Sequence, residues 1–290
     1  MDVLIRAANA LVMMGLPLAL GVVLVRRLGV SWGLFGVGAA TFIGSQVLHI
    51  PFNAWVLTPS LPPLGLSDAS QGWPLAAVAL LLGLSAGLFE EGARALVYRT
   101  WLRKARSWSE AVMFGAGHGG IEAVVLGGLA LYGLIQAVAL READLVGVVP
   151  PDQVEAARAQ IAAYWQLPWH MAILGAVERA GALCIQVGLA VLVMQAFTRR
   201  KAIWWFVAVG WHTVVDGLAV YALPTWGAYV TEGLVAVCAL VSVGAIIVLR
   251  PPKAELHDEQ RIADAMPAHV PAAGEPVASK ERLDNSRFVD

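Results

Sequence analysis

Apolar residues arrive in seven long runs, at approximately 4–25, 30–50, 74–98, 109–139, 168–197, 202–223 and 226–249. Each reaches or exceeds the roughly 20 residues that one bilayer crossing needs. The pattern predicts an all-α, polytopic integral membrane protein of about seven transmembrane helices. The fourth and fifth runs are long enough to tilt, kink or extend beyond the membrane. The fourth contains MFGAGHGG, Met113 to Gly120, whose four glycines could bend the helix or admit a close neighbour. The opening MDVLIRAANALVMMGLPLALGVVLVRRLG carries no small-residue cleavage signature and reads as a retained first span.

Two stretches break the apolar pattern. In PPDQVEAARAQIAAYW, Asp152 and Glu155 stand at capping-box spacing, and Val154, Ala157, Ile161 and Trp165 share one face. This predicts a short amphipathic helix on the membrane surface, read as a connector, with a substrate-contacting lid as the alternative. From Pro251 the chain turns polar, with five prolines and few large apolar groups. Such a segment cannot bury enough surface to offset ordering and is expected to be disordered. The expected division is a transmembrane domain over 1–250, with its chemical core at 74–223, and a cytoplasmic tail over 251–290.

Composition agrees with the pattern. The 290 residues are 58% hydrophobic and 14% charged, with mean hydropathy +0.68. A soluble domain carries about a quarter charged residues. The net charge is −1 and no basic stripe is present, so nucleic-acid binding is set aside. Cys184 and Cys238 lie in apolar runs and read as small buried residues. The connections are more informative. Arg26, Arg27, Arg99, Arg103, Lys104, Arg106, Arg199, Arg200, Lys201, Arg250 and Lys253 fall on one side of the seven spans, and Arg6, Arg141 and Arg158 on the other. Basic residues collect in cytoplasmic loops. The amino terminus is therefore expected outside and the carboxyl terminus in the cytoplasm, with the 50–73 and 140–167 connections outside.

Against this apolar background, ionisable residues at membrane depth stand out. Each costs at least about 2.5 kcal/mol to insert and calls for a use. LFEEGARALVYR places Glu90, Glu91 and Arg94 on span three. Span four carries His118 and Glu122, span five Glu178, Arg179 and Gln186, and span six His212 and Asp216. Counted from the inner ends of their spans, Glu90, His118 and His212 lie at nearly one depth, roughly 13–15 Å in. Gln186 comes to a similar level. Glu90/Arg94, His118/Glu122 and His212/Asp216 are each four apart and share a face. Each histidine thus has a carboxylate one turn away, and Arg94 is placed to neutralise a glutamate. Gln46 and His49 fall near the expected outer end of span two and read as interhelical contacts. Glu178 and Arg179 are adjacent and read as a structural charge pair to neighbouring helices.

A carboxylate and a histidine can hold a water and take its proton, while a second histidine and an acid stabilise the oxyanion formed on an amide. His118, His212 and Glu90 could equally hold a zinc ion with an open position. Only one of Glu90 and Glu91 can face the centre fully, since neighbours on a helix point about 100° apart. The centre is expected to open to the cytoplasmic half. Alternatives use the same residues differently: a proton-coupled transporter would relay protons and break no bond, a haem carrier with His118 and His212 as axial ligands would be coloured, and a scaffold would need no coplanar polar layer.

FEEGARALVY, GAGHGGIEA, VERAGALCIQVGLAVLV and HTVVDG, in this order on successive spans, resemble the YhfC family of bacterial intramembrane proteases. SQVLHIPFN, Ser45 to Asn53, fits the same family's second span, and the resemblance covers about residues 30–225. The family is similar to a wider group of CAAX prenyl endopeptidases, bacteriocin-processing enzymes and PrsW-type proteases. The resemblance implies a multi-pass protein of the bacterial cytoplasmic membrane that cleaves a membrane protein or lipid-linked peptide. It implies Glu90 as general base with His118 holding the water, and His212 with Asp216 as the oxyanion or metal side. Arg94 would match the group's basic residue, which the CAAX enzymes usually space one residue further on. Two departures stand out: Asp216 replaces their Asn, and Gln186 stands where a histidine is expected. An amide is a poor zinc ligand.

Overall fold

The computed structural model describes residues 2–66, 69–147 and 149–252, all helix, turn or coil. The helices are α1 Asp2–Leu28, α2 Trp32–Phe52, α3 Thr58–Ser60, α4 Gly72–Thr100, α5 Trp108–Ala139, α6 Val154–Gln166, α7 Trp169–Thr198, α8 Ile203–Trp226 and α9 Ala228–Val248. Seven are long and apolar enough to cross a membrane, and they match the seven predicted runs. Their outer faces leave large apolar side chains bare, among them Leu4, Leu240 and Val248, as a surface solvated by lipid requires. Expectations for the tail from Lys253 onward lie outside the described residues.

Span two is longer than its apolar run suggested. Pro51 offers no N–H to the carbonyl one turn back, and the helix re-registers through a π turn at Asn53–Leu57 into α3. The whole crossing runs from Trp32 to Ser60. The surface helix also differs in detail. α6 forms and turns Val154, Ala157, Ile161 and Trp165 away from solvent, as predicted. Its N-cap, however, is Gln153 with no side-chain cap bond, because Pro151–Gln153 forms a separate 3-10 turn that takes Asp152 out of capping position. α6 is instead pinned from outside itself: Arg6 donates to the carbonyls of Tyr164 (3.1 Å) and Leu167 (2.7 Å), and Trp165 Nε1 to that of Ala137 (3.3 Å).

The glycines of MFGAGHGG serve packing, since α5 runs unbroken through them. A Cβ on Gly117 would lie 2.0 Å from the Phe35 carbonyl oxygen of α2, and one on Gly119 2.7 Å from the Cβ of Gln186 on α7. Such backbone-level contact is how membrane helices associate without a hydrophobic driving force. α5 packs on α1, α2 and α7, and α4 packs on α2, α7 and α8. α2, α5, α7, α8 and α4 therefore ring a common interior, and its most deeply buried ionisable side chains gather at one level.

Candidate active site

That level lies where α4 turns two consecutive glutamates inward. Glu90 and Glu91 are both buried, but they meet different partners. Glu90 reaches the middle of the ring. His118 Nε2, from α5, donates to its Oε2 at 3.0 Å. Gln186 Nε2, from α7, donates to the same oxygen at 3.3 Å, and His212 Nε2, from α8, stands 3.9 Å from it. Gln46 Nε2, from α2, donates to the other oxygen at 3.0 Å. Five helices thus converge on one carboxylate.

Glu91 points to the α8 side. Its Oε1 accepts from Arg94 Nη1 and, at 2.7 Å, from His212 Nδ1. Trp205 Nε1 holds its backbone carbonyl at 3.0 Å. Arg94 is fully buried and also donates to Gln186 Oε1, while Glu90 lies 4.0 Å from its guanidinium. The guanidinium therefore pairs closely with Glu91 and only distantly with Glu90. A hydrogen bond from one ring nitrogen to a carboxylate fixes a histidine's tautomer and leaves the other nitrogen for chemistry. For His212 that other nitrogen, Nε2, faces Glu90 Oε2 and Asp216 Oδ2, the latter at 3.4 Å. Both neighbours are acceptors, so a proton or a cation must lie between them and the ring.

Glu122 lies one turn from His118 on the same face of α5. The structure does not pair them. Glu122 turns across to α7, where Arg179 Nη1 (2.7 Å) and Gln186 Nε2 (3.0 Å) donate to it. Arg179 also pairs with Glu178. A partly buried carboxylate is drawn to the nearest cation, and His118 takes Glu90 instead. Asp216, by contrast, does reach its own histidine.

Gln46 and His49 belong to the centre's surroundings rather than to the outer end of span two. Gln46 carries its bond to Glu90 onward through Oε1, which accepts from His49 Nδ1 at 3.3 Å. His49 Nε2 accepts from Asn53 Nδ2 at 2.9 Å and lies 3.0 Å from Ser85 Oγ, which donates to Asn53 Oδ1 at 3.0 Å. The chain of bonds has one sense, ending with the Gln46 amide held against Glu90. The signal was present in the sequence: Gln46, His49 and Asn53 are spaced three and four apart and share a face.

The opening also lies elsewhere than expected. Beyond the centre toward the basic loops, Tyr98, Met113, Phe114, Leu189 and Val193 are buried in a continuous apolar core. On the opposite side Glu122 and Asp216 are partly exposed. Packing seals the half that was expected to be open.

Two imidazoles and a carboxylate, with Glu91 orienting one ring, are the donor types of a hydrolytic zinc site. His212 Nε2 stands 3.9 Å from Glu90 Oε2 and 3.4 Å from Asp216 Oδ2. Among the described residues, however, no three His, Cys, Asp or Glu side chains stand ready around one point, so a metal would require the side chains to shift.

The YhfC intramembrane metalloprotease family model matches residues 12–239 of the chain. The uncharacterized membrane protein YhfC of Bacillus subtilis (strain 168) is 30% identical over 208 residues, which is 71% of this chain and 79% of that protein. No solved structure matches.

Proposed function

The chain belongs to the YhfC intramembrane metalloprotease family, and from that premise we propose that Glu90, His118 and His212 form a hydrolytic centre that cleaves a peptide bond in a membrane-embedded or lipid-linked substrate. The observation that carries this is the convergence of His118 Nε2 and His212 Nε2 on one oxygen of a single buried carboxylate, at 3.0 and 3.9 Å. Glu90 takes the proton from an attacking water. His118 holds that water on the side of Glu90 Oε2. His212, its Nδ1 fixed by Glu91, presents Nε2 to the oxyanion that forms as water adds to the amide carbon. Asp216 stabilises the protonated ring. When the carbon–nitrogen bond breaks, the proton held by Glu90 passes to the leaving amine, and Glu90 regains its starting state. Arg94 pairs closely with Glu91 and stands 4.0 Å from Glu90, so the two carboxylates have different neighbours.

If a divalent metal is bound, His118, His212 and Glu90 would hold it, and it would supply Lewis acidity and a more acidic water. The steps assigned above to the protein's own groups stand beside that contribution.

The test is a reconstituted preparation offered a library of membrane-anchored peptides, with new termini read by mass spectrometry. The wild-type chain is expected to cleave members of the library. Glu90→Gln keeps the shape of the side chain and is expected to lower cleavage by at least about a hundredfold, as for loss of a general base. Equal cleavage by Glu90→Gln would refute the assignment. Solute movement without any cleavage would favour the proton-coupled transporter.

A further inference from the structure

Two side-chain amides flank Glu90, and each is turned by the group behind it. Gln186 donates to Glu90 Oε2 at 3.3 Å while its own Oε1 accepts from Arg94. A guanidinium has no acceptor to offer, so Arg94 fixes which end of Gln186 faces Glu90. Gln46 donates to Glu90 Oε1 at 3.0 Å, and its Oε1 accepts from His49 Nδ1 at 3.3 Å. Here the group behind the amide is an imidazole, which can hold its proton on either ring nitrogen. With the proton on Nδ1, Gln46 turns its oxygen to the ring and its N–H to Glu90. With the proton on Nε2, the Nδ1 lone pair takes the amide N–H instead. The amide oxygen would then meet the Glu90 carboxylate, acceptor against acceptor. The far side of the ring is set for the first state: Asn53 Nδ2 donates to His49 Nε2 at 2.9 Å, and Asn53 Oδ1 accepts from Ser85 Oγ at 3.0 Å. The ring is also held in place, buried and stacked on Phe89, the chain neighbour of Glu90, with centroids 5.3 Å apart.

We propose that His49 is a positioning residue for Glu90: its Nδ1–H tautomer, matched by Asn53 on the other side of the ring, keeps the Gln46 amide donating to Glu90 Oε1 and so keeps Oε2 turned to His118 and His212. The inference rests on the hydrolytic reading of Glu90. The last torsion of a glutamate is soft, so a carboxylate keeps one orientation only when both oxygens are held. Oε2 is held by His118 at 3.0 Å and by Gln186, and Oε1 by Gln46. A change at one end of this chain of bonds therefore shows at the other. In Glu90→Gln the new amide has one way to fit. Its oxygen takes the Oε2 place, because His118 and Gln186 both donate there and Arg94 prevents Gln186 from turning. Its nitrogen takes the Oε1 place and needs an acceptor. Gln46 then presents its oxygen, and His49 accepts on Nδ1 and carries its proton on Nε2. A set of contacts that only braced α2 against α4 would not transmit such a reversal.

The ring proton can be located without reading cleavage. In full-length protein carrying isotopically labelled histidine and reconstituted in lipid, solid-state NMR shows which imidazole nitrogen is protonated. The His49 signals are those lost in His49→Asn. The wild-type ring is expected to carry its proton on Nδ1 and none on Nε2. Glu90→Gln is expected to move the proton to Nε2. Asn53→Asp, which puts an acceptor in place of the donor, is expected to place a proton on Nε2 from the opposite end, so either variant alone suffices if the other fails to fold. A wild-type ring protonated on Nε2, or a ring that ignores these substitutions, would overturn the proposal. Kinetics then test the consequence for Glu90. His49→Leu is expected to lower kcat about 10–100-fold, as for loss of a supporting hydrogen bond, with KM nearly unchanged. His49→Asn, whose Nδ2–H takes the place of the ring's Nδ1–H, is expected to restore most of that loss. An unchanged kcat in His49→Leu, or no recovery in His49→Asn, would overturn the positioning role. The two readings fail separately. A wild-type chain that cleaves nothing removes the hydrolytic reading, and the ring proton still decides whether the bonds run as described. A ring protonated on Nε2, beside cleavage lost in Glu90→Gln, removes the positioning role alone.

Discussion

Two clusters of carboxylate and guanidinium lie in this bundle one turn apart, and only one has the makings of a working centre. Around Arg179, Glu122 and Glu178 each take a direct bond from the guanidinium, and the cluster stands partly open. Its charges are matched by neighbouring side chains and by partial exposure. Around Arg94 the arrangement is unequal. Glu91 holds the guanidinium, while Glu90 stands 4.0 Å away among histidine and amide donors. Gln186 joins the two clusters, donating to Glu90 and Glu122 and accepting from Arg94. The difference is one of partners: a direct guanidinium bond satisfies Glu122 and Glu178, whereas Glu90 is held by histidine and amide donors, the setting on which its proposed role as base rests.

The sharpest way to break this contrast is to remove each cation. Arg94→Leu leaves Glu91 buried without its charge partner, and a broken buried pair typically costs about 3–5 kcal/mol. A large fall in thermal stability in detergent is expected, along with loss of folded protein. Arg179→Leu is expected to cost less, because Glu178 is 42% exposed at its side chain and can reach solvent instead. Equal losses would show that the two clusters do the same structural work.

The amide neighbours sharpen the picture. Gln46→Leu removes the donor to Glu90 Oε1, and loss of such a supporting bond typically lowers activity about 10–100-fold. The fall is expected in kcat with KM nearly unchanged, because Gln46 bonds the carboxylate from the side away from the histidines. A rise in KM alone would place Gln46 on the substrate instead. Gln186→Leu should lower cleavage without altering any bound metal measured by elemental analysis, and release of metal would make Gln186 a ligand. A chelator such as phenanthroline separates the two forms of the chemistry: activity that is lost and then restored by zinc requires the metal, and activity that survives does not. The smallest effect is expected from ending the chain at Lys253, which should leave expression and thermal stability nearly unchanged. A marked loss of either would mean that the tail supports the membrane domain.

The centre was legible from sequence because depth is countable. Glu90, His118 and His212 could be placed by residue rise from the ends of three apolar runs, and the structure brings those three together. The places where the reading failed have separate physical causes. The second apolar run spans about 30–50, which puts His49 near the membrane edge, yet a π turn carries the helix past Pro51 to Ser60. Glu122 shares a face with His118, but a cation on the neighbouring helix decided its direction. The side on which the centre opens was not written in any run or spacing. It depends on where whole helices separate, and backbone contacts such as Gly83 with the Thr213 carbonyl, where a Cβ would lie 2.5 Å away, set that.

The central claim is that Glu90 carries out the chemistry while Glu122, one turn outward, does not. Cleavage of membrane-anchored peptides by Glu90→Gln and Glu122→Gln, reconstituted side by side and matched for folded protein, tests it most directly. The account predicts a loss of at least about a hundredfold for Glu90→Gln and near wild-type cleavage for Glu122→Gln. Cleavage that survives Glu90→Gln, or falls as far in Glu122→Gln, would contradict it.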